Sequence, residues 1–375
     1  MRQWISNVWR LGLKELSSLR ADPVLIVLIV YVFSLGVYSV ATGAKLEVAN
    51  AAVAYVDHDR SALSGRIVEA ILPPQFHTPQ QITADQVDKY MQSGRFVFVL
   101  DIPPRLEADV LSGRGAEILL NVDATAMSTA GNGAVFLQQI INTEVARFVA
   151  RQDEASTLPI ALTVRAMFNP NLESVWFSSI MQVINNITIL SILLTGAALI
   201  REREHGTIEH LLVMPVTPSE IMAAKIWANG LAVVVAAMLS LWLVVQIMLG
   251  VPVAGSVPLF IFGTLIYLVS VTGLGILLAT FTTSMPQFGL LAIPVLIIMI
   301  LLSGSTTPME NMPEWLQFAM QAAPSTHFVS FSQAILYRDA GLGTVWPDML
   351  QMAGLSAAFF IIALRRFRLT MAGAH

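Results

Sequence analysis

Six apolar segments stand out along the chain: Val24–Thr42, Ser178–Ile200, Ile226–Leu249, Val257–Phe281, Gln287–Leu302 and Met349–Leu364. None of them contains Asp, Glu, Lys, Arg or His. The fifth and sixth are shorter than the roughly 20 residues that a bilayer-spanning helix needs. Pro294 kinks the fifth, and the small residues Ser303-Gly304-Ser305-Thr306-Thr307 behind it point to a broken or re-entrant arrangement. Residues 1–22 follow another period. Ile5, Val8, Trp9, Gly12, Leu16 and Leu19 recur at helical spacing, with Gln3, Ser6, Asn7, Arg10, Lys14 and Ser17 opposite. That pattern predicts an amphipathic helix in the membrane interface, with Trp4 and Trp9 at headgroup depth. It is too polar for a cleavable signal peptide.

Between the first two apolar segments lie about 130 residues with a different rhythm, ample for an independent core. Ala52–Val56, Phe96–Leu100 and Glu117–Val122 are predicted strands. Helices are predicted over Ser61–Leu72, Ala84–Ser93 (capped by Thr83 with Gln86), Arg105–Leu111 and Met127–Arg151. Strands alternating with helices indicate a small α/β domain. The expected fold is an α-helical polytopic membrane protein with six transmembrane helices and an α/β extracytoplasmic domain between helices 1 and 2. The expected divisions are an interfacial helix at 1–22, helix 1 at 23–44, the α/β domain at 45–177, helices 2–6 at 178–364 and a tail at 365–375.

Composition agrees with the pattern. Hydrophobic residues make up 55% and charged residues 12% of the chain, where a soluble protein carries about a quarter charged. A net charge of −4 gives no reason to expect nucleic acid as a partner. With 0 cysteines, disulfides, zinc–thiolate sites, iron–sulfur clusters and thiol nucleophiles are excluded. Arg and Lys concentrate in the N-terminal arm, in the link after the second segment and in the tail, so both termini are expected in the cytoplasm.

The densest charge lies in that link: Arg201-Glu202-Arg203-Glu204-His205-Gly206-Thr207-Ile208-Glu209-His210. Such a run cannot sit in lipid. A surface loop is the bland explanation, but Leu211, Leu212 and Val213 among the charges favour a short docking helix near Thr207–Met214. Thr217-Pro218-Ser219-Glu220 then caps a new helix.

Residues 201–215, ending Leu-Leu-Val-Met-Pro, resemble the link of ABC-2 type transporter permeases, the membrane subunits of ABC exporters. The resemblance extends over essentially the whole chain, including Val-Asp-His-Asp-Arg-Ser at 56–61. It implies a coupling helix at 201–216 that contacts an ABC ATPase, with Glu202, Arg203, Glu204, Gly206, Thr207, Glu209 and Pro215 forming the contact or its geometry. It also implies a second permease subunit, identical or not, a bacterial inner-membrane location, and a periplasmic adaptor as a further partner. Because the chain has no P-loop, no cofactor is expected on it, and ATP and Mg would be bound by the partner ATPase. Leu111-Ser112-Gly113-Arg114-Gly115 is superficially like an ATPase signature loop, and coincidence is the better explanation.

Asn185, Asn186 and Gln246 are the candidates for a translocation path, weighed against ordinary interhelical hydrogen bonding. His58, between Asp57 and Asp59, fits a turn and helix cap better than a metal site. Uncharged segments argue against an internal proton relay and favour an apolar or amphiphilic cargo. A membrane-anchored sensor or scaffold, and a secondary transporter, are the competing functions.

Overall fold

The computed structural model describes residues 2–43, 51–93, 95–123, 127–152, 173–204, 206, 215–307, 309 and 312–372. It divides into two compact units, Met1–Gly43 with Val175–His375, and Ala44–Ser174. The first begins with α1 (Arg2–Ala21) and α2 (Pro23–Gly43). Asp22 separates them: its Oδ1 accepts from the backbone N–H of Val24 at 3.1 Å and Leu25 at 3.2 Å, capping α2, while Pro23 takes the first helical position. Inside α2, Val32–Gly36 is wound as π-helix.

The second unit carries a four-stranded sheet of order β2-β1-β3-β4. In chain order its elements are β1 (Val53–Asp57), α3 (Ala62–Glu69), β2 (Gln80–Gln81), α4 (Val87–Gln92), β3 (Phe98–Ile102), α5 (Leu106–Leu111), β4 (Leu119–Val122) and α6 (Met127–Gln152). β1 pairs in parallel with β2 and β3, and β4 runs antiparallel to β3. Side chains alternate across the sheet with the expected period of two. Val53, Phe98, Leu100 and Ile102 pack with Leu63, Ile67, Leu106 and Leu137 of the helices, while Ala54 and Val99 face Val87, Tyr90 and Met91 of α4. The predicted strands lie within two residues of those found. β2 carried no signal, because two exposed glutamines pair through backbone alone.

Asp57, His58 and Asp59 form the expected turn and cap. Asp57 Oδ1 accepts from the N–H of Asp59 and Arg60, and Asp59 Oδ2 accepts from the N–H of Glu107 at the start of α5. Burial raises the Asp59 carboxyl, but hydrogen bonds from Ser61 and the backbone of Glu107, Arg105 and Leu106 outweigh it and hold the group below its ordinary value.

The first unit continues with α7 (Ser174–Glu204), α8 (Pro218–Met248), α9 (Val257–Thr280), α10 (Met285–Leu301), α11 (Glu314–Met320), α12 (Pro324–Leu336) and α13 (Leu342–Ala372). Among the described residues, five helices are long and apolar enough to cross a membrane: α2, α7, α8, α9 and most of α13. α10 has 17 residues, about 25 Å of helix against a hydrocarbon core of about 30 Å. The chain bends after Leu302, with Gly304 at φ +90, instead of continuing. The sixth segment is longer than its apolar stretch predicts, because polar turns extend α13 at both ends.

α7 is the most enclosed span, 78% buried against 22% for α2 and α13. α9 packs along α13, α12 and α8. Tyr267 of α9 stacks on Phe328 of α12 at 3.9 Å and its hydroxyl meets Thr188 Oγ1 of α7 at 2.7 Å. Where α7 and α9 cross, the missing side chain of Gly275 is essential. A Cβ there would lie 2.8 Å from the Ile192 carbonyl oxygen.

Candidate functional site

The end of α7 carries three of the seven predicted coupling residues, Glu202, Arg203 and Glu204, and ties each to a neighbouring element. Glu202 Oε2 lies 2.9 Å from Lys225 Nζ of α8, and Lys225 also meets Glu15 Oε1 of α1 at 3.0 Å. The Lys225 side chain is 2% exposed. Arg203 donates to the Thr282 carbonyl in the turn between α9 and α10. Glu204 Oε1 accepts from the N–H of Met285, the first residue of α10. Arg201 Nη1 pairs with Asp22 Oδ2 at 2.7 Å, tying α7 to the α1–α2 corner. The N–H bond from Leu25 holds the Asp22 carboxyl below its ordinary value, and Arg201 reinforces this against partial burial.

Gly206 ends α7. Its φ of +68 is the left-handed conformation that closes helices and suits glycine, and its N–H returns to the Arg203 carbonyl at 3.1 Å. Pro215, exposed, re-enters the described chain two residues before Thr217. Thr207 and Glu209, with the expected docking helix Thr207–Met214, lie outside the described residues. At Thr217 the expected cap is present. The Glu220 carboxylate accepts from the Thr217 N–H at 2.6 Å and hydroxyl at 3.0 Å.

α1 packs against the first half of α8. Gly12 is the close approach, where a Cβ would lie 2.1 Å from the Trp227 ring, and Trp9 stacks on that ring at 5.0 Å. Asn7 donates to Glu220 Oε1 at 3.1 Å and Trp227 to the Val8 carbonyl at 3.1 Å. Asn7 and Glu15 therefore face the bundle, while Ile5, Trp9 and Leu13 are exposed. Of the apolar row read from the sequence, Val8, Gly12, Leu16 and Leu19 are buried or half-buried and Ile5 and Trp9 are exposed, while Asn7 from the polar side joins the seam through its bond to Glu220.

Those pairs also revise the uncharged-helix expectation. The apolar segment marked from Ile226 stops one residue short of Lys225, and α8 in fact begins at Pro218 with Glu220 and Lys225 inside it. Asp348 likewise lies in the first turns of α13. Ionisable groups do enter the helices, near their ends.

Among the path candidates, Asn186 is 2% exposed and its Nδ2 donates to the Val32 carbonyl at 2.8 Å, with Gln182 donating to its Oδ1. Ser240 Oγ donates to the adjacent Phe33 carbonyl. Both acceptors belong to the π-wound turn of α2, whose wider winding frees carbonyls from the i→i+4 pattern. Asn186 thus secures a helix contact, the ordinary alternative. Asn185 and Gln246 are half-buried, Gln246 within a second π-wound stretch, Ser240–Met248.

The charged end of the bundle therefore links α1, α2, α7, α8 and the α9–α10 turn through charge-assisted bonds. Such bonds are about twice as strong as neutral ones and directional, so they fix these helix ends to one another. A model of the ABC-2 family transporter proteins matches residues 23–365. An inner membrane transport permease of Escherichia coli (strain K12), YhhJ, is 51% identical over 367 residues, 98% of each chain, and its Shigella flexneri counterpart matches equally. A probable multidrug ABC transporter permease of Escherichia coli (strain K12), YbhR, is 28% identical over 371 residues, 96% of this chain and 98% of its own.

Proposed function

The chain belongs to the ABC-2 family of transporter proteins, and on that premise we propose that it is the membrane half of an ATP-driven exporter in the bacterial inner membrane. It is a transporter permease subunit rather than an enzyme. A separate ABC ATPase supplies hydrolysis, binding ATP and Mg itself, and presses on the 201–216 elbow. A working assembly pairs two permease subunits with two ATPase domains. Counting α10 as a short crossing gives six spans and places both termini in the cytoplasm, with the sheet-bearing unit in the periplasm, where an adaptor protein can reach it.

The observation that carries the reading is the inward anchoring of Glu202, Arg203 and Glu204. A push on the elbow reaches α8 and α1 through Lys225, the α9–α10 turn through Thr282 and Met285, and α2 through Arg201 and Asp22. In this reading those side chains serve as the mechanical root of the elbow, and the ATPase contact itself falls to the remainder of the link, to which Thr207 and Glu209 belong. Cargo is an apolar or amphiphilic molecule, in keeping with spans whose central turns are uncharged.

The 0 cysteines make the topology directly testable. Pro215→Cys is expected to react with a membrane-impermeant maleimide only after the inner face is opened, and Ser93→Cys in intact spheroplasts. The reverse labelling would overturn the proposal. Transport that survives ATP depletion but stops when the proton gradient is dissipated would establish a secondary transporter instead. Failure of any nucleotide-binding subunit to copurify from the native membrane would favour a sensor or scaffold.

A further inference from the structure

A cavity of about 270 Å³ opens at the charged end of the bundle, among α1, the start of α2, the end of α7 and the first half of α8. It is smaller than the roughly 300–1,000 Å³ of sites that enclose a whole drug-sized ligand. Its walls join apolar Leu19, Leu25 and Leu194 to two cations, Lys14 and Arg201, and two carboxylates, Glu15 and Glu202.

Asn229 also lines it. This side chain is 4% exposed, and its Nδ2 has no hydrogen-bond partner among the described residues. Leaving a buried amide donor bare is costly, so an acceptor oxygen from outside the chain belongs beside it. The formal charges of the four ionisable lining groups cancel, which disfavours a purely anionic or purely cationic guest. Leu28, one turn beyond Leu25 on the same face of α2, is exposed and extends that apolar surface toward the bilayer. Size, charge balance and an apolar exit together describe a polar head with tails left outside.

We propose that this cavity seats the headgroup of a zwitterionic phospholipid, its phosphate toward Asn229 and Lys14 and its ammonium toward Glu15 and Glu202. The lipid is then a wedge between α1 and the helices that carry the elbow. The assignment needs only that the helices lie in a bilayer, and holds for either orientation of the elbow.

The test uses the purified full-length protein, stripped of lipid in detergent and titrated with dioleoylphosphatidylethanolamine, dioleoylphosphatidylglycerol, dioleoylglycerol or tail-less glycerophosphoethanolamine, with Tm as the readout. Phosphatidylethanolamine is expected to raise Tm at the lowest concentration of the four. Asn229→Leu removes the donor and fills the space, and should weaken that response about tenfold. Ser18→Phe blocks the cavity from an exposed position of α1, so it keeps the test open if the first variant folds poorly, and it should weaken the response similarly.

Equal shifts by all three tailed lipids would reduce the effect to a detergent-belt exchange and overturn the site. An equal shift by glycerophosphoethanolamine would overturn the lipid assignment in favour of a soluble zwitterion. An unchanged response in both variants would show that binding lies elsewhere. Neither ATP nor the ATPase enters the assay, so its failure is distinguishable from failure of the exporter reading.

Discussion

Replacing Lys225 by Met tests whether the charged end of the bundle is held by its buried cation. The Lys225 side chain is 2% exposed and lies 3.0 Å from Glu15 and 2.9 Å from Glu202, each of which is 14% exposed. Met keeps most of the apolar stem, so little packing is lost and the effect is mainly electrostatic. The variant leaves two carboxylates facing each other without their shared counter-ion. Removing one partner of a buried pair costs about 3–5 kcal/mol, whereas an exposed pair is worth at most about 1. One carboxylate can relieve the repulsion by taking up a proton, which places the expected cost near the lower end, about 3 kcal/mol. Glu15→Gln retains the Glu202–Lys225 pair and should cost about 1 kcal/mol. Changing all three together, Glu15→Gln, Glu202→Gln and Lys225→Met, strands no charge and should recover much of the loss. Thermal denaturation in detergent measures the whole protein. Protease resistance of α1 follows the local opening, which matters because a two-unit chain need not unfold in one step. A Lys225→Met cost below 1 kcal/mol, or a loss that the triple variant does not recover, would refute the reasoning.

Gly275→Ala should destabilise by about 1–3 kcal/mol in the same assay, because the new Cβ meets backbone of Ile192 that cannot swing away. Gly230→Ala, facing only a Leu268 methyl at 3.3 Å, should cost less. Asp22→Ala removes both the α2 cap and the Arg201 pair and should cost about 1–2 kcal/mol at neutral pH. Since the folded Asp22 pKa is lowered, its contribution is present above the unfolded value of about 3.9 and fades as pH falls through the folded one, so the variant should flatten that acid limb of a Tm profile. His327 behaves oppositely. The Asp348 carboxylate, 3.9 Å from Nδ1, and the hydrogen bond with the Gln321 carbonyl raise its pKa despite burial. Its contribution is full below about 6.5 and is lost as pH rises through the raised folded value, so His327→Gln should remove a decline in Tm across that alkaline window.

Much of this fold was legible because its periods are simple. Long uncharged runs gave α2, α7, α8 and α9, and short apolar runs gave β1 and β3. The elbow was marked by its charge run with Leu211, Leu212 and Val213 beside it, and Gly206 by the family resemblance. What escaped depended on partners distant in sequence. Nothing local ties Glu202 to residues 15 and 225, Arg203 to 282, or Glu204 to 285, so their inward direction emerges only when five helices converge. The polar part of the α1 seam escaped for the same reason, since Asn7 and Glu15 count as polar until Glu220 and Lys225 are seen opposite them. Asn186 shows the limit of composition: an amide in an apolar run signals a hydrogen bond but not its partner, here a carbonyl freed by the winding of α2.

At the α7–α9 crossing, main chain rests on main chain, with no compressible side-chain layer between Gly275 and Ile192. Such a contact is a fulcrum. At 1.5 Å per residue, the arm from Ile192 to Glu204 is about 18 Å long and the arm to Ser174 about 27 Å. A tilt of α7 about that point therefore moves its far end about 1.5 times as far as the end that bears the elbow, and in the opposite direction.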